Sequence, residues 1–290
     1  MKVRDIGIVI VTILLLAQGC ASSPRSEDQA AIASEEQHKN HSMGGMDHSG
    51  HSGMKMPGMS EIQAKLTIPS TVSSKTVVPL VIDIQDKNGN AIANFDRFQE
   101  KLMHLIVVSD NLQFFNHIHP TYKGNGRFEV AAQFPQPGSY TLFNDYKPSG
   151  QEEQVSLLKT QVSGKSPATS KIDLNRTKTF ADTKVNLSVS PATVKAGEEV
   201  SLNFNLQDAA KNQPLTDLQP YLGEKGHLVI IKQSSPLTRA DYIHAHAIKN
   251  TPVGQVNFIT SFPQPGNYKL WGQFNRNGKI VTADFWVNVL

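Results

Sequence analysis

Histidine and methionine are spread unevenly along this 290-residue chain, and both can bind metal. Between residues 38 and 60 lie His38, His41, His48 and His51, with Met43, Met46, Met54, Met56 and Met59. Thioether sulfur is soft and favours Cu(I), while imidazole accepts Cu(I), Cu(II), Zn or Ni. A chain of glycine, serine and such donors can therefore wrap a soft ion. The other six histidines are His104, His117 and His119, then His227, His244 and His246. Residues i and i+2 of a strand share a face, so each His-x-His pair sits side by side. A hairpin centred on Asp110-Asn111 pairs residues whose numbers sum to 221, setting His104 against His117 with His119 diagonal. In the second set a turn at Ser235-Pro236 pairs His227 with His244, with His246 beside them. Facing side chains are about 5 Å apart at Cβ. Three imidazoles on one hairpin suit Cu(II) or Zn(II), one ion per hairpin, provided the register does not slip by one residue. They must bind neutral, and crowding should hold their pKa at or below about 6.5. A fourth ligand is open: Asp145 is available for the first triad, and Gln273, a poor ligand, stands near the matching place in the second.

The elements that carry these residues occur twice. Phe134-Pro135-Gln136-Pro137-Gly138-Ser139-Tyr140 returns as Phe262-Pro263-Gln264-Pro265-Gly266-Asn267-Tyr268, and His104-Leu105-Ile106-Val107-Val108 returns as His227-Leu228-Val229-Ile230-Ile231. Matches in the same order at slowly growing offsets indicate duplication with small loop insertions. The units span 61–165 and 179–290, joined by a polar linker at 166–178. Short alternating or β-branched runs separated by Gly, Asn and Pro turns mark both as β, with about seven strands each. The expected fold class is all-β: two tandem immunoglobulin-like β-sandwich domains after a disordered N-terminal segment. Residues 20–60 hold almost no aliphatic or aromatic side chains, too few to offset the entropy of ordering them.

The strings HLIVV, FFNHIHP, GNGRFEV and FPQPGSYTLF, with GHLVII, YIHAHA and FPQPGNYKLW in the second unit, resemble exported bacterial β-sandwich proteins of the YtkA-like kind. Ala247 stands where the first unit has Pro120. The resemblance implies fold and export more than activity. Residues 1–19 read as a signal peptide: Lys2 and Arg4 precede an uncharged apolar run from Ile6 to Ala17, too short to span a bilayer. Leu16-Ala17-Gln18-Gly19-Cys20 resembles a bacterial lipobox, which implies cleavage before Cys20 and lipid on its sulfur. The Met/His stretch resembles those of envelope copper-resistance proteins.

Composition excludes several classes. Lys and Arg number 28 against 25 Asp and Glu, too balanced for a nucleic-acid partner. The one cysteine rules out an internal disulfide, a CxxC redox pair and a thiolate zinc cluster. Gly164-Lys165-Ser166 is no P-loop, since Lys159 stands where glycine is needed, and no GxSxG occurs. The sequence therefore points to a non-enzymatic, lipid-anchored cell-envelope protein. It would hold Cu(I) in its tail and Cu(II) or Zn(II) on its hairpins, and hand metal to an envelope transport partner. Two alternatives stand beside it: a tethered interaction module with structural histidines, and a His-ligated copper oxidoreductase. A peptide of residues 38–60 is expected to bind Cu(I) through methionine. Unshifted methionine methyl signals at micromolar peptide would end that expectation.

Overall fold

A computed structural model of the chain describes residues 62–169 and 171–290. The leader with Cys20, and the donors His38, His41, Met43, Met46, His48, His51, Met54, Met56 and Met59, lie outside the described residues. Among the described residues no helix is long and apolar enough to cross a membrane.

The first unit contains β1 (Ile62–Thr67), β2 (Val77–Asp86), β3 (Phe95–Asp96), β4 (Met103–Ser109), β5 (Phe115–Ile118), β6 (Thr121–Gly124), β7 (Arg127–Gln133), β8 (Gly138–Pro148) and β9 (Gln154–Val162). The second contains β10 (Thr177–Phe180), β11 (Thr183–Ser190), β12 (Glu199–Asp208), β13 (Leu218–Gln219), β14 (His227–Lys232), β15 (Tyr242–His246), β16 (Gln255–Ser261), β17 (Gly266–Arg276) and β18 (Lys279–Val289). Alternation builds the strands. In β2 the buried set is Val78, Leu80, Ile82 and Ile84; in β12 it is Val200, Leu202, Phe204 and Leu206. Each unit pairs a four-stranded sheet, β1-β2-β7-β6 or β10-β11-β12-β16, with a five-stranded one. In the five-stranded sheets β8 or β17 is central, flanked by β4-β5 and β9, or by β14-β15 and β18. This is the layout of an immunoglobulin-like sandwich.

The repeated Phe-Pro-Gln-Pro-Gly-x-Tyr has a structural task. The Tyr140 hydroxyl donates to the Gln136 carbonyl at 2.8 Å, and Tyr268 does the same to Gln264 at 2.8 Å. Each is a tyrosine corner, pinning the loop that enters the central strand of its five-stranded sheet.

Strands β4 and β14 are buried on both faces. Met103, Leu105 and Val107 face the first core, and Leu228 and Ile230 face the second. Their other faces meet in a third apolar cluster: Ile106, Val108, Leu112 and Phe143 from one sandwich, Val229, Ile231, Leu237, Trp271 and Trp286 from the other. Phe115 stacks on Trp271 (4.9 Å, 13°), and Phe143 on Tyr242 (4.9 Å, 17°). The two five-stranded sheets thus pack outer face to outer face. The segment expected as a linker packs along the seam: Ile172 touches the cluster, Arg176 donates to the Trp286 carbonyl, and Ala168 accepts from Gln113. Both cores and the seam close within residues 62–290, which therefore form a folding unit by themselves.

Trp271→Ala removes a buried aromatic from this seam. It is expected to cost about 3 kcal/mol and to split a single urea transition into two as the sandwiches uncouple. A single transition of unchanged midpoint would show that Trp271 does not carry the coupling.

Candidate metal centre

The histidines ride on the hairpins β4–β5 and β14–β15, in a register two residues from the expected one. Ile106 pairs with His117 and Leu105 with Ile118, so paired numbers sum to 223 rather than 221. His227 pairs with His246, and Val229 with His244. The cause is the loop. Leu112, with φ of 57°, turns its side chain into the seam, and the Ser109 hydroxyl accepts from the Gln113 and Phe114 amides. This makes a wider connection than a two-residue turn. Leu237 is drawn into the seam at the matching place in the second hairpin. A shift of two preserves the face, so each set stays on one side, with His104 and His227 diagonal to His117 and His244, and among the described residues the His104, His117 and His119 triad closes into one group.

The larger correction concerns separation. The sequence suggests two independent triads, but the histidine faces are the faces that dock, and all six rings run together. His119, His117 and His104 are neighbours, with ring centroids 4.7–5.2 Å apart. His104 and His117 lie 5.8 and 5.5 Å from His227 across the seam. His227, His244 and His246 continue the run at 5.3 Å each. Two imidazole pairs are in direct contact. His104 Nδ1 is 3.0 Å from His117 Nε2, and His227 Nδ1 is 3.1 Å from His244 Nε2. Ligating nitrogens of His104, His117 and His119 all lie within 4.8 Å of one another.

Asp145 and Gln273 hold places unlike those expected of a fourth ligand. Each stands beside its own sandwich's first histidine, Asp145 next to His104 and Gln273 next to His227, but reaches across the seam. His117 Nδ1 donates to Gln273 Oε1 at 2.7 Å, and His244 Nδ1 donates to Asp145 Oδ2 at 3.0 Å. Tyr242 also donates to Asp145 at 3.3 Å. Sequence reasoning missed the cover. Phe98, on the turn closed by Lys101, packs edge-on against His104, and Tyr221, on the matching turn closed by Glu224, packs against His227. Gln99 from the first turn bonds His246 of the second sandwich. The shared offset of Phe98–His104 and Tyr221–His227 within the repeat was the available signal.

Burial dominates the electrostatics. It pushes His104 down to about 2, His117 to about 3 and His119 to about 4, with neighbouring imidazoles adding to the first two and Lys101 to the third. His227 is lowered further still by burial and then by His244, His117 and His104. These rings stay neutral, the form that ligates. The donor set fits an ion: Nε2 of His227, in a residue only 1% exposed, and Nε2 of His119 are buried without a hydrogen-bond partner. His104 Nδ1 and His117 Nε2, 3.0 Å apart, are close to the spacing of adjacent ligands, about 2.8–3.3 Å, around an ion with bonds of about 2.0 Å.

The family described as a domain of unknown function, DUF8832, matches residues 59–163 and again 178–290. None of the curated proteins compared with the chain matches it. Among solved structures, the chain is similar to a segment of two fibronectin type III domains from chicken tenascin, at 11% identity and a TM-score of 0.23, over 77% of this chain and 97% of that one. It is also similar to invasin, a bacterial integrin-binding protein, at 11% identity and a TM-score of 0.22, over 77% of this chain. An Escherichia coli alpha-2-macroglobulin aligns at 13% identity and a TM-score of 0.27, over 79% of this chain. The chain spans 39% of the invasin and 16% of the macroglobulin. The fold rests on the strands and sheets described above.

The lowered pKa values make folding sensitive to acid. Unfolded histidine takes a proton near pH 6.5, whereas the buried rings do so only near 4 or below. The unfolded state then binds more protons, so stability is full above about pH 6.5 and falls as pH drops through 6 and 5. Urea midpoints of the metal-free protein should show a slope steeper than the roughly 1.4 kcal/mol per pH unit of one group. A slope at or below that value would contradict joint burial of the rings.

Proposed function

We propose, for a chain that belongs to the DUF8832 family and carries its domain twice, that the paired sandwiches bind copper or a related ion. The protein would hold that ion at the surface of a bacterial cell envelope. The observation that carries this reading is the convergence of histidines from two sandwiches on one seam, His104, His117 and His227 buried there, with Nε2 of His119 and of His227 left unpartnered. Structural histidines are normally satisfied by hydrogen bonds. A neutral imidazole nitrogen without a donor is a lone pair available to a cation, and six nitrogens with no thiolate suit Cu(II) or Zn(II).

The leader, the lipobox-like Cys20 and the methionine-rich stretch extend the proposal. A lipid at Cys20 would tether the protein to a membrane, the stretch from His38 to Met59 would capture Cu(I), and the seam would hold metal for buffering or for transfer to a transport partner. A second reading is favoured by the hydrogen bonds that already hold the rings: His227 Nδ1 to His244 Nε2 at 3.1 Å, and His104 Nε2 to the Phe98 carbonyl at 3.2 Å. In that reading the cluster is a polar weld in a tethered interaction module.

Metal content separates the two. Residues 62–290, made metal-free and titrated with Cu(II) or Zn(II), should bind about two ions per chain, and His117→Ala should remove about one. A protein that binds neither ion at micromolar concentration would leave the polar weld as the function of the histidines.

A further inference from the structure

Cross-domain bonding gives the two imidazole pairs different backing. His104 and His117 form one pair: His117 Nδ1 donates to the Gln273 amide oxygen of the second sandwich and His104 Nε2 to the Phe98 carbonyl at 3.2 Å, so the two nitrogens that face each other are both lone pairs. His227 and His244 form the other, and its outward nitrogen, His244 Nδ1, donates to the Asp145 carboxylate of the first. The arrangement is nearly symmetric, because Asp145 and Gln273 occupy the same place on β8 and β17, each opposite its own sandwich's first histidine. The chemistry is not symmetric. A carboxylate that accepts from one imidazole nitrogen fixes the tautomer and raises the basicity of the other as a ligand. A neutral amide fixes the tautomer but adds little basicity.

Asp145 is otherwise hard to explain. It is 1% exposed, its Oδ1 has no partner, and no cationic side chain forms an ion pair with it among the described residues apart from His244 should that ring charge. A buried carboxylate without a cation costs several kcal/mol, and a metal ion on the histidine it holds supplies the missing positive charge. The same tautomer argument exposes His227. With Nδ1–H of His244 on the carboxylate, His244 Nε2 accepts from His227 Nδ1–H, and His227 Nε2 is left as a buried lone pair.

Resting on the metal-binding reading above, we propose that Asp145 and Gln273 are positioning residues that each sandwich lends to the other. They make the seam a pair of unequal metal subsites, tighter at His227 and His244 and weaker at His104, His117 and His119. Both subsites then depend on docking, since neither sandwich holds its own backing group.

The test is Cu(II) titration of residues 62–290 by calorimetry, with electron paramagnetic resonance at each equivalent. Wild type should bind in two steps with two distinct spectra. Asp145→Asn, nearly isosteric, should weaken the tighter step about 10- to 100-fold and leave the weaker one in place. Gln273→Glu should strengthen the weaker step and move its spectrum toward that of the tighter. Asp145→Glu should restore the tighter step. Should Asp145→Asn fail to fold, as judged by its melting curve, the Gln273→Glu result decides alone. Two ions bound in equivalent sites, or variants that shift both steps together, overturn the inequality while metal binding stands. Absence of any Cu(II) binding overturns both.

Discussion

The structure depends on one act of burial: the outer faces of two five-stranded sheets are removed from water against each other. In a free sandwich, Ile106, Val108, Val229, Ile231 and Trp271 would form exposed apolar stripes. Docked, they make a third core between the other two. The cost of that seam is that whatever else lies on those strands is buried too. At one end it takes Lys269, which is held by Asp284 and packs against Trp286. Along the other end it takes His104, His117 and His227. The lowered imidazole pKa values, the unpartnered nitrogens and the cross-domain bonds all follow from the seam.

Histidine is well suited to that position. It can be buried neutral at a cost that lysine or glutamate could not meet, and its two nitrogens can bond in opposite directions. The result is a relay from the Asp145 carboxylate through His244 to His227, and a facing pair, His117 bonded to Gln273 across the seam and His104 to the Phe98 carbonyl. The turns that carry Phe98 and Tyr221 lay an aromatic ring on His104 and His227, which narrows access by water.

Duplication supplied near symmetry, and the Asp145/Gln273 position departs from it. Most paired positions keep their chemistry: the tyrosine corners, the doubly buried strands, the His-x-His pairs and the capping turns. Asp145 and Gln273 do not. Because each reaches into the other copy, a change in one sandwich alters the histidines of its neighbour. Such an exchange ties the two domains chemically as well as sterically.

Much of this was legible in the residues. Period-two alternation in Val77–Asp86 and Glu199–Asp208 marks half-buried strands, and the recurrence of Phe-Pro-Gln-Pro-Gly-x-Tyr marks the duplication. The histidines could be put on one face without knowing the loop, since a register error of two residues returns every side chain to the same side. The loop itself was not legible. Its width is set by Leu112 and Leu237 entering a seam made by residues more than a hundred positions away. The unbroken runs His-Leu-Ile-Val-Val and His-Leu-Val-Ile-Ile did carry a hint, because a strand apolar on both faces must be covered on both. They could not say by what. That the cover is the other copy, and that the two histidine sets therefore meet with exchanged acceptors, was decided by tertiary structure alone. Docking is chosen by the fit of two whole surfaces, and no local pattern encodes it.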